Sequence, residues 1–186
     1  MAELFYVMGA SGVGKDSLLQ YARKKLPKNY PVVFAHRYIT RAANAGGENH
    51  IALSEGEFLY RNQMGCFAMH WYCHNTWYGI GAEVNLWLSM GMSVVVNGSR
   101  VYFEAAVETF PEVIPVLITA EPELIQERLK IRARESSAEI EQRLTRTEQL
   151  LNQKEYPSVV EIHNNQTLAE AGDRFIHLLL RETALA

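Results

Sequence analysis

The run Gly9-Ala10-Ser11-Gly12-Val13-Gly14-Lys15 carries the most specific chemistry in the chain. It follows an apolar segment, Leu4 to Met8, and opens one with helical apolar spacing, Lys15 to Leu26 (Leu18, Leu19, Ala22, Leu26), which Pro27 ends. Strand, glycine-rich turn and helix in that order make a phosphate-binding loop. The glycines let backbone N–H groups curl round a phosphate, and the helix N-terminus adds partial positive charge. Lys15 then reaches the β- and γ-phosphates of a nucleoside triphosphate as a point charge. Gly9, Ala10, Ser11, Gly12, Val13, Gly14, Lys15, Asp16 and Ser17 are therefore candidate ATP-binding residues, with Lys15 also a candidate catalytic group.

Asp16 departs from the usual pattern. Loops of this kind place Ser or Thr after the lysine to coordinate Mg²⁺, and here Asp16 stands there with Ser17 next. A carboxylate is a good hard oxygen ligand, directly or through water. Asp equally suits the first turn of a helix. Asp16 or Ser17 is thus the candidate metal ligand. The run Val94-Val95-Val96 ends in Asn97, where many such enzymes carry a metal-holding Asp, so the local carboxylate is expected in the loop instead.

A second group of cations lies downstream. The predicted helix Pro122 to Ala133 carries Arg128 and Arg132 on one face. Arg134 follows, and Arg143 and Arg146 lie on the next predicted helix, Glu139 to Leu151. The interspersed Glu127, Glu135, Glu139 and Glu141 would suit a merely solvated face. Phosphoryl transfer, however, needs cations around the moving γ-phosphoryl group. Two helices joined by a small polar turn suit a lid that closes over the triphosphate. Residues 128–146 are read as that lid, with Arg132 and Arg143 as candidate catalytic residues and Arg128 as an ATP ligand.

The elements that must position these groups alternate. Val32 to Ala35, Ser93 to Val96, Ile114 to Ile118 and Val159 to Ile162 read as strands, and Glu83 to Met90 as a helix. Capping boxes at Ser54–Glu57 and Thr167–Glu170 open two more helices. His36 to Asn49 has no periodicity and reads as a loop, and residues 66 to 78 as irregular strands. Alternating strands and helices predict an α/β fold, a mainly parallel sheet with helices on both faces. Met64, Met69, Met90 and Met92 read as gap-filling core residues. Cys66, His70, Cys73 and His74 cluster, but their spacing fits no standard zinc site and the aromatics around them point to packing.

Composition bounds the rest. The 186 residues suggest one domain spanning 1–186. With 48% hydrophobic and 21% charged residues, disorder and collagen-like structure are excluded. A formal net charge of -3 predicts no nucleic-acid partner. No apolar stretch approaches a membrane span and the cysteines number two, so a cytoplasmic location is expected.

These motifs resemble the guanylate kinase superfamily of phosphate-loop enzymes over most of the chain. Thr40-Arg41 is similar to its acceptor-binding Thr-Arg, Trp77-Tyr78-Gly79 to its Tyr-Gly, and Arg128-Leu129-x-x-Arg132 with Arg143-Leu144 to its lid. Asn164-Asn165 is similar to the Asn-Asp beside its adenine pocket, which implies ATP binding for Asn164. The residues that read guanine do not carry over: Met69 and Asn97 stand where that family has Glu and Asp, and Asn44 where it has a second acceptor arginine.

A closer resemblance within the superfamily is to the ribose 1,5-bisphosphate phosphokinases of bacterial phosphonate degradation. It rests on Gly-Lys-Asp-Ser (14 to 17), Ala-His-Arg-Tyr-Ile-Thr-Arg (35 to 41), Glu-Asn-His-Ile-Ala-Leu-Ser-Glu (48 to 55) and Val-Asn-Gly-Ser-Arg (96 to 100). It implies transfer of the γ-phosphoryl of ATP, with Mg²⁺, to the 1-phosphate of the sugar, giving 5-phospho-α-D-ribose 1-diphosphate. Arg37, Thr40, Arg41, His50, Tyr78, Asn97 and Arg100 are the candidate acceptor residues, within a lobe at 36–80 and just beyond it. His36, Arg37, Arg41, His50, Arg61 and Arg100 suit a ligand with two phosphates. The second pKa of a phosphate is about 6, so such an acceptor oxygen needs no general base. Two other readings compete: a nucleoside monophosphate kinase with altered base preference, and a catalytically silent, guanylate-kinase-like interaction domain. An intact Gly14-Lys15 and an arginine lid argue against the silent module.

Overall fold

The structure, a computed structural model, describes residues 2–44, 48–132 and 158–180. Two compact units divide the chain: Met1–Val7 with Asn29–Ile114, and Met8–Lys28 with Pro115–Ala186. The expected acceptor lobe falls in the first unit and the phosphate loop in the second.

The first unit is built on parallel strands. β1 (Leu4–Gly9) pairs along Leu4 to Val7 with β7 (Ser93–Asn97), which pairs on its other side with β2 (Val32–Phe34). Leu4, Phe5, Tyr6 and Val7 are all buried, as are Val94, Val95 and Val96. Such continuous apolar runs mark strands covered on both faces. A second sheet in this unit has the order β4-β3-β6-β5. It comprises β3 (Arg37–Ile39), β4 (Ile51–Ala52), β5 (Phe67–Cys73) and β6 (Thr76–Gly81). The loop expected over 36–49 is thus partly a strand: Ile39 is fully buried and Arg37 pairs with Ile80. The hairpin between β5 and β6 turns on His74 and Asn75, both at positive φ (49° and 55°), the conformation a two-residue type I′ turn requires.

Three helices complete the unit. Ser54 Oγ accepts from the Glu57 N–H and opens α2 (Glu55–Gln63), as the capping box predicts. α3 (Glu83–Ser89) and α4 (Phe103–Thr109) follow, the latter entered through a short 3₁₀ turn at Arg100–Tyr102. Met69 is buried and Met92 half-buried, but Met64 and Met90 are exposed, because each lies at a helix C-terminus, beyond the buried face.

In the second unit, α1 (Lys15–Lys25) packs on α6 (Leu168–Leu180), where Tyr21 donates to Asp173 Oδ1 at 2.9 Å. β8 (Ile114–Thr119) runs parallel to β9 (Val160–His163), with Val116 opposite Val160. α5 (Pro122–Arg132) follows β8. The second capping box forms in both directions: Glu170 Oε2 accepts from the Thr167 N–H and hydroxyl, and Thr167 Oγ1 accepts from the Glu170 N–H. These hydrogen bonds hold the Glu170 carboxyl below its ordinary pKa. The predicted helix over 139–151 lies outside the described residues. No helix among the described residues is long and apolar enough to cross a membrane.

Candidate active site

The phosphate loop is formed as its sequence demands. Gly9 ends β1, the turn runs from Ala10 to Gly14, and Lys15 begins α1. Gly12 and Gly14 sit at φ of 90° and 89°, the left-handed region that only glycine enters without strain. Lys15 and Asp16 are half-buried in the first turn of α1 and Ser17 is exposed. One carboxylate and one hydroxyl beside the lysine form a hard-oxygen donor set that fits Mg²⁺. Among the described residues, no group of three or more His, Cys, Asp or Glu is placed to hold a metal. Asp16 or Ser17 would be the side chain that holds such an ion.

Arg128 and Asn164 both meet this loop at the carbonyl of Val13. Asn164, only 3% exposed, donates from Nδ2 to Val13 O at 2.7 Å. Arg128 donates from Nη1 to the same oxygen at 3.3 Å and from Nη2 to Asn164 O at 2.9 Å. Arg132 ends α5, and its side chain lies outside the described residues, as do Arg143 and the rest of the expected lid beyond it.

The candidate acceptor residues lie in the first unit, on its strands and in the segments that flank them. Thr40 is fixed to β6 twice, its Oγ1 accepting from the Trp77 N–H at 2.9 Å and its own N–H donating to Trp77 O. That pairing links the Thr-Arg and Trp-Tyr-Gly segments. Arg41 follows and lines a cleft of about 400 Å³ with Thr40, Ser54, Asn75 and Trp77. Its Nε is buried with no hydrogen-bond partner among the described residues. An unsatisfied buried guanidinium nitrogen is costly unless an anion meets it.

Arg37 has a different environment. Its Nε donates to Glu48 Oε2 at 2.8 Å, its Nη2 pairs with Glu48 Oε1, and its guanidinium lies 5.0 Å from the centre of the Tyr78 ring. Tyr78 stacks on Trp71 at 5.5 Å, and Trp71 on Tyr102 at 5.4 Å. Asn97, 5% exposed at the end of β7, donates to Glu48 Oε2 at 3.1 Å. Glu48, which sequence reading gave no role, is therefore the hub of this cluster. Its partners lie 11 and 49 residues away, and no local signal reveals them. His50 is buried, its ring nitrogens 3.2 and 3.1 Å from the carbonyls of Glu48 and Arg41, so it braces this segment. Arg61 is paired with Glu57 on α2. Arg100 is half-buried in the 3₁₀ turn after β7. The turn is anchored by Tyr6, whose hydroxyl donates to Ser99 O and accepts from the Ser99 N–H, both at 2.9 Å. Gly98 permits this, since a Cβ there would lie 2.1 Å from the Tyr6 ring.

No protein-family model matches the chain. It is 49% identical over 183 residues to the ribose 1,5-bisphosphate phosphokinase PhnN of Desulfomicrobium baculatum, covering 98% of this chain and 97% of that one. The chain belongs to the ribose 1,5-bisphosphate phosphokinase family. Further relatives of the same name are those of Chromobacterium violaceum (51% identity, covering 95% of this chain and 92% of that one) and Yersinia pestis (43%, covering 100% and 95%). Among solved structures, the guanylate kinase of Anaplasma phagocytophilum superposes with a TM-score of 0.70 at 19% identity, over 98% of this chain and 87% of that one. The fold of this phosphokinase family member is thus the α/β, guanylate kinase-like one. Met69 is fully buried in β5.

Proposed function

We propose that this chain transfers the γ-phosphoryl group of ATP to the 1-phosphate of ribose 1,5-bisphosphate, giving 5-phospho-α-D-ribose 1-diphosphate and ADP. The observation that carries this reading is the 49% identity, across 98% of the chain, to a ribose 1,5-bisphosphate phosphokinase. The cleft at Arg41 supports it, because a half-buried arginine whose Nε has no hydrogen-bond partner among the described residues suits a phosphate group of the acceptor.

In the transfer, a non-bridging oxygen of the 1-phosphate attacks the γ-phosphorus. One P–O bond forms, the bond to the β-phosphate oxygen breaks, and ADP leaves. The attacking oxygen is already ionised near neutral pH, so no side chain needs to take its proton. The phosphate loop and Lys15 hold the triphosphate and offset charge on the leaving oxygen. Arg132 and Arg143 are assigned to the transferring group itself. Asp16 or Ser17 would hold Mg²⁺, which would supply positive charge to offset that of the triphosphate.

The test is an ATP-dependent phosphorylation assay across ribose 1,5-bisphosphate, GMP and other nucleoside monophosphates. The sugar bisphosphate is expected to be converted, and Lys15→Ala to lower turnover by about 10²-fold or more. Efficient conversion of GMP to GDP with no activity on the sugar bisphosphate overturns the reading.

A further inference from the structure

The contact of Asn164 and Arg128 with a single backbone oxygen assigns these residues a different task from direct contact with the nucleotide. We propose that both are positioning residues, acting on the triphosphate through the Val13–Gly14 peptide. The inference rests on the reading of residues 9–15 as an ATP-binding loop, and is independent of which acceptor is used.

A peptide unit is planar, and in the trans form its C=O and N–H point in opposite directions. Fixing the Val13 carbonyl therefore fixes the direction of the Gly14 N–H, away from Asn164 and Arg128. That N–H belongs to the turn that must surround a phosphate, directly before Lys15. Gly14, at a φ of 89°, has no Cβ to restrict that torsion, so the Val13–Gly14 peptide gains its definition from what holds the Val13 carbonyl. Asn164 Nδ2 and Arg128 Nη1 hold it. A hypothetical Cβ on Gly14 would come 2.4 Å from Asn164 Nδ2, so the amide is pressed against the loop backbone.

The holder is itself fixed. The Asn164 N–H donates to Thr119 O at 2.8 Å, tying the residue to the end of β8. Its carbonyl accepts the second arm of the Arg128 fork. The next residue, Asn165, bonds Glu121 twice, through Oδ1 to the backbone N–H and through Nδ2 to Oε1, just before α5 begins. Loop, strand ends and the start of α5 therefore share one hydrogen-bond network, and the amide of Asn164 has a donor committed to Val13.

The experiment compares ligands with and without a base. Binding of Mg·ATP, Mg·ADP and Mg·tripolyphosphate is measured by calorimetry for the native chain, Asn164→Ala, Arg128→Lys and the double variant, with thermal melting to verify folding. Asn164→Ala is expected to weaken all three ligands by a similar factor of roughly ten, the effect of one lost hydrogen bond. The acceptor KM should stay unchanged. Both side chains act through one carbonyl, so the double variant should lose less than the product of the single losses. Weakening confined to ATP and ADP would make Asn164 a base ligand and overturn the proposal. Independent, multiplicative losses would make Arg128 a direct phosphate ligand and overturn its half. If Asn164→Ala fails to fold, Asn164→Ser, too short to reach Val13 O, takes its place in the same comparison: equal weakening of all three ligands with a less than multiplicative double loss supports the proposal, and weakening confined to ATP and ADP or multiplicative losses overturn it. Failure of the native chain to bind either ATP or tripolyphosphate would instead refute the ATP-binding reading.

Discussion

Glu48 and Arg37 form a two-pronged ion pair in which each side chain is only 12% exposed. Glu48 also accepts from Asn97, and Arg37 lies over Tyr78, so the pair joins β3, β6 and β7. Removing one partner of such a pair leaves an uncompensated charge. Glu48→Gln and Arg37→Gln are each expected to destabilise the protein by about 3 kcal/mol. The double variant should cost less than the sum, because no charge is stranded. Denaturant unfolding of the four proteins measures this, and strictly additive losses would show that the pair is not coupled.

Asp16 tests where the missing strand-end carboxylate has gone. Asp16→Asn keeps the shape and removes the charge, while Asp16→Ser restores the more usual hydroxyl. If Asp16 serves Mg²⁺, both variants need more of the ion for half-maximal turnover and melt normally, since Asn and Ser suit a helix start. A Mg²⁺ titration at saturating ATP reads this. An unchanged requirement with a lowered melting temperature assigns Asp16 to the helix start.

From the core, Tyr6 anchors Ser99, next to the candidate acceptor residue Arg100. Tyr6→Phe removes the hydroxyl that satisfies both backbone groups of Ser99, at a cost of about 1–3 kcal/mol. The turn carrying Arg100 loses its anchor. Acceptor KM should rise while ATP KM holds, in steady-state kinetics on the purified variant.

The Thr167–Glu170 box gives a pH signature. The Glu170 pKa is depressed in the folded chain, first by the Thr167 hydroxyl and then by its N–H. Its contribution is therefore present above the ordinary carboxylate range and is lost as pH falls through the folded value. Thr167→Ala should cost about 1 kcal/mol near neutrality through the lost cap. The gap from the native protein should shrink in acid, which melting curves across pH would show.

The parts of the structure that sequence reading reached are those with local causes. The phosphate loop, β1, β7, β8, α1 and both capping boxes are written in contiguous spacing. β3 was hidden because it is three residues long, with Ile39 alone fully buried, and is followed by a stretch rich in Ala, Asn and Gly. The roles of Glu48 and Asn164 depend on partners that the fold delivers, Asn164 meeting Val13 across 151 residues. The resemblance of Asn164-Asn165 to the guanylate kinase Asn-Asp pair implied ATP binding for Asn164. Only the packed structure shows which atom it holds.

The aromatic column of Tyr102, Trp71 and Tyr78 under Arg37 has an optical consequence. All three tryptophans, Trp71, Trp77 and Trp87, lie in the unit that carries the acceptor residues, and the phosphate-loop unit has none. Trp71 is stacked two rings from that guanidinium, and Trp77 lines the cleft beside Arg41. Indole emission excited near the red edge therefore reports on one half of the protein alone. A change in indole emission on adding ribose 1,5-bisphosphate is therefore the expected signature of a ligand bound among the candidate acceptor residues.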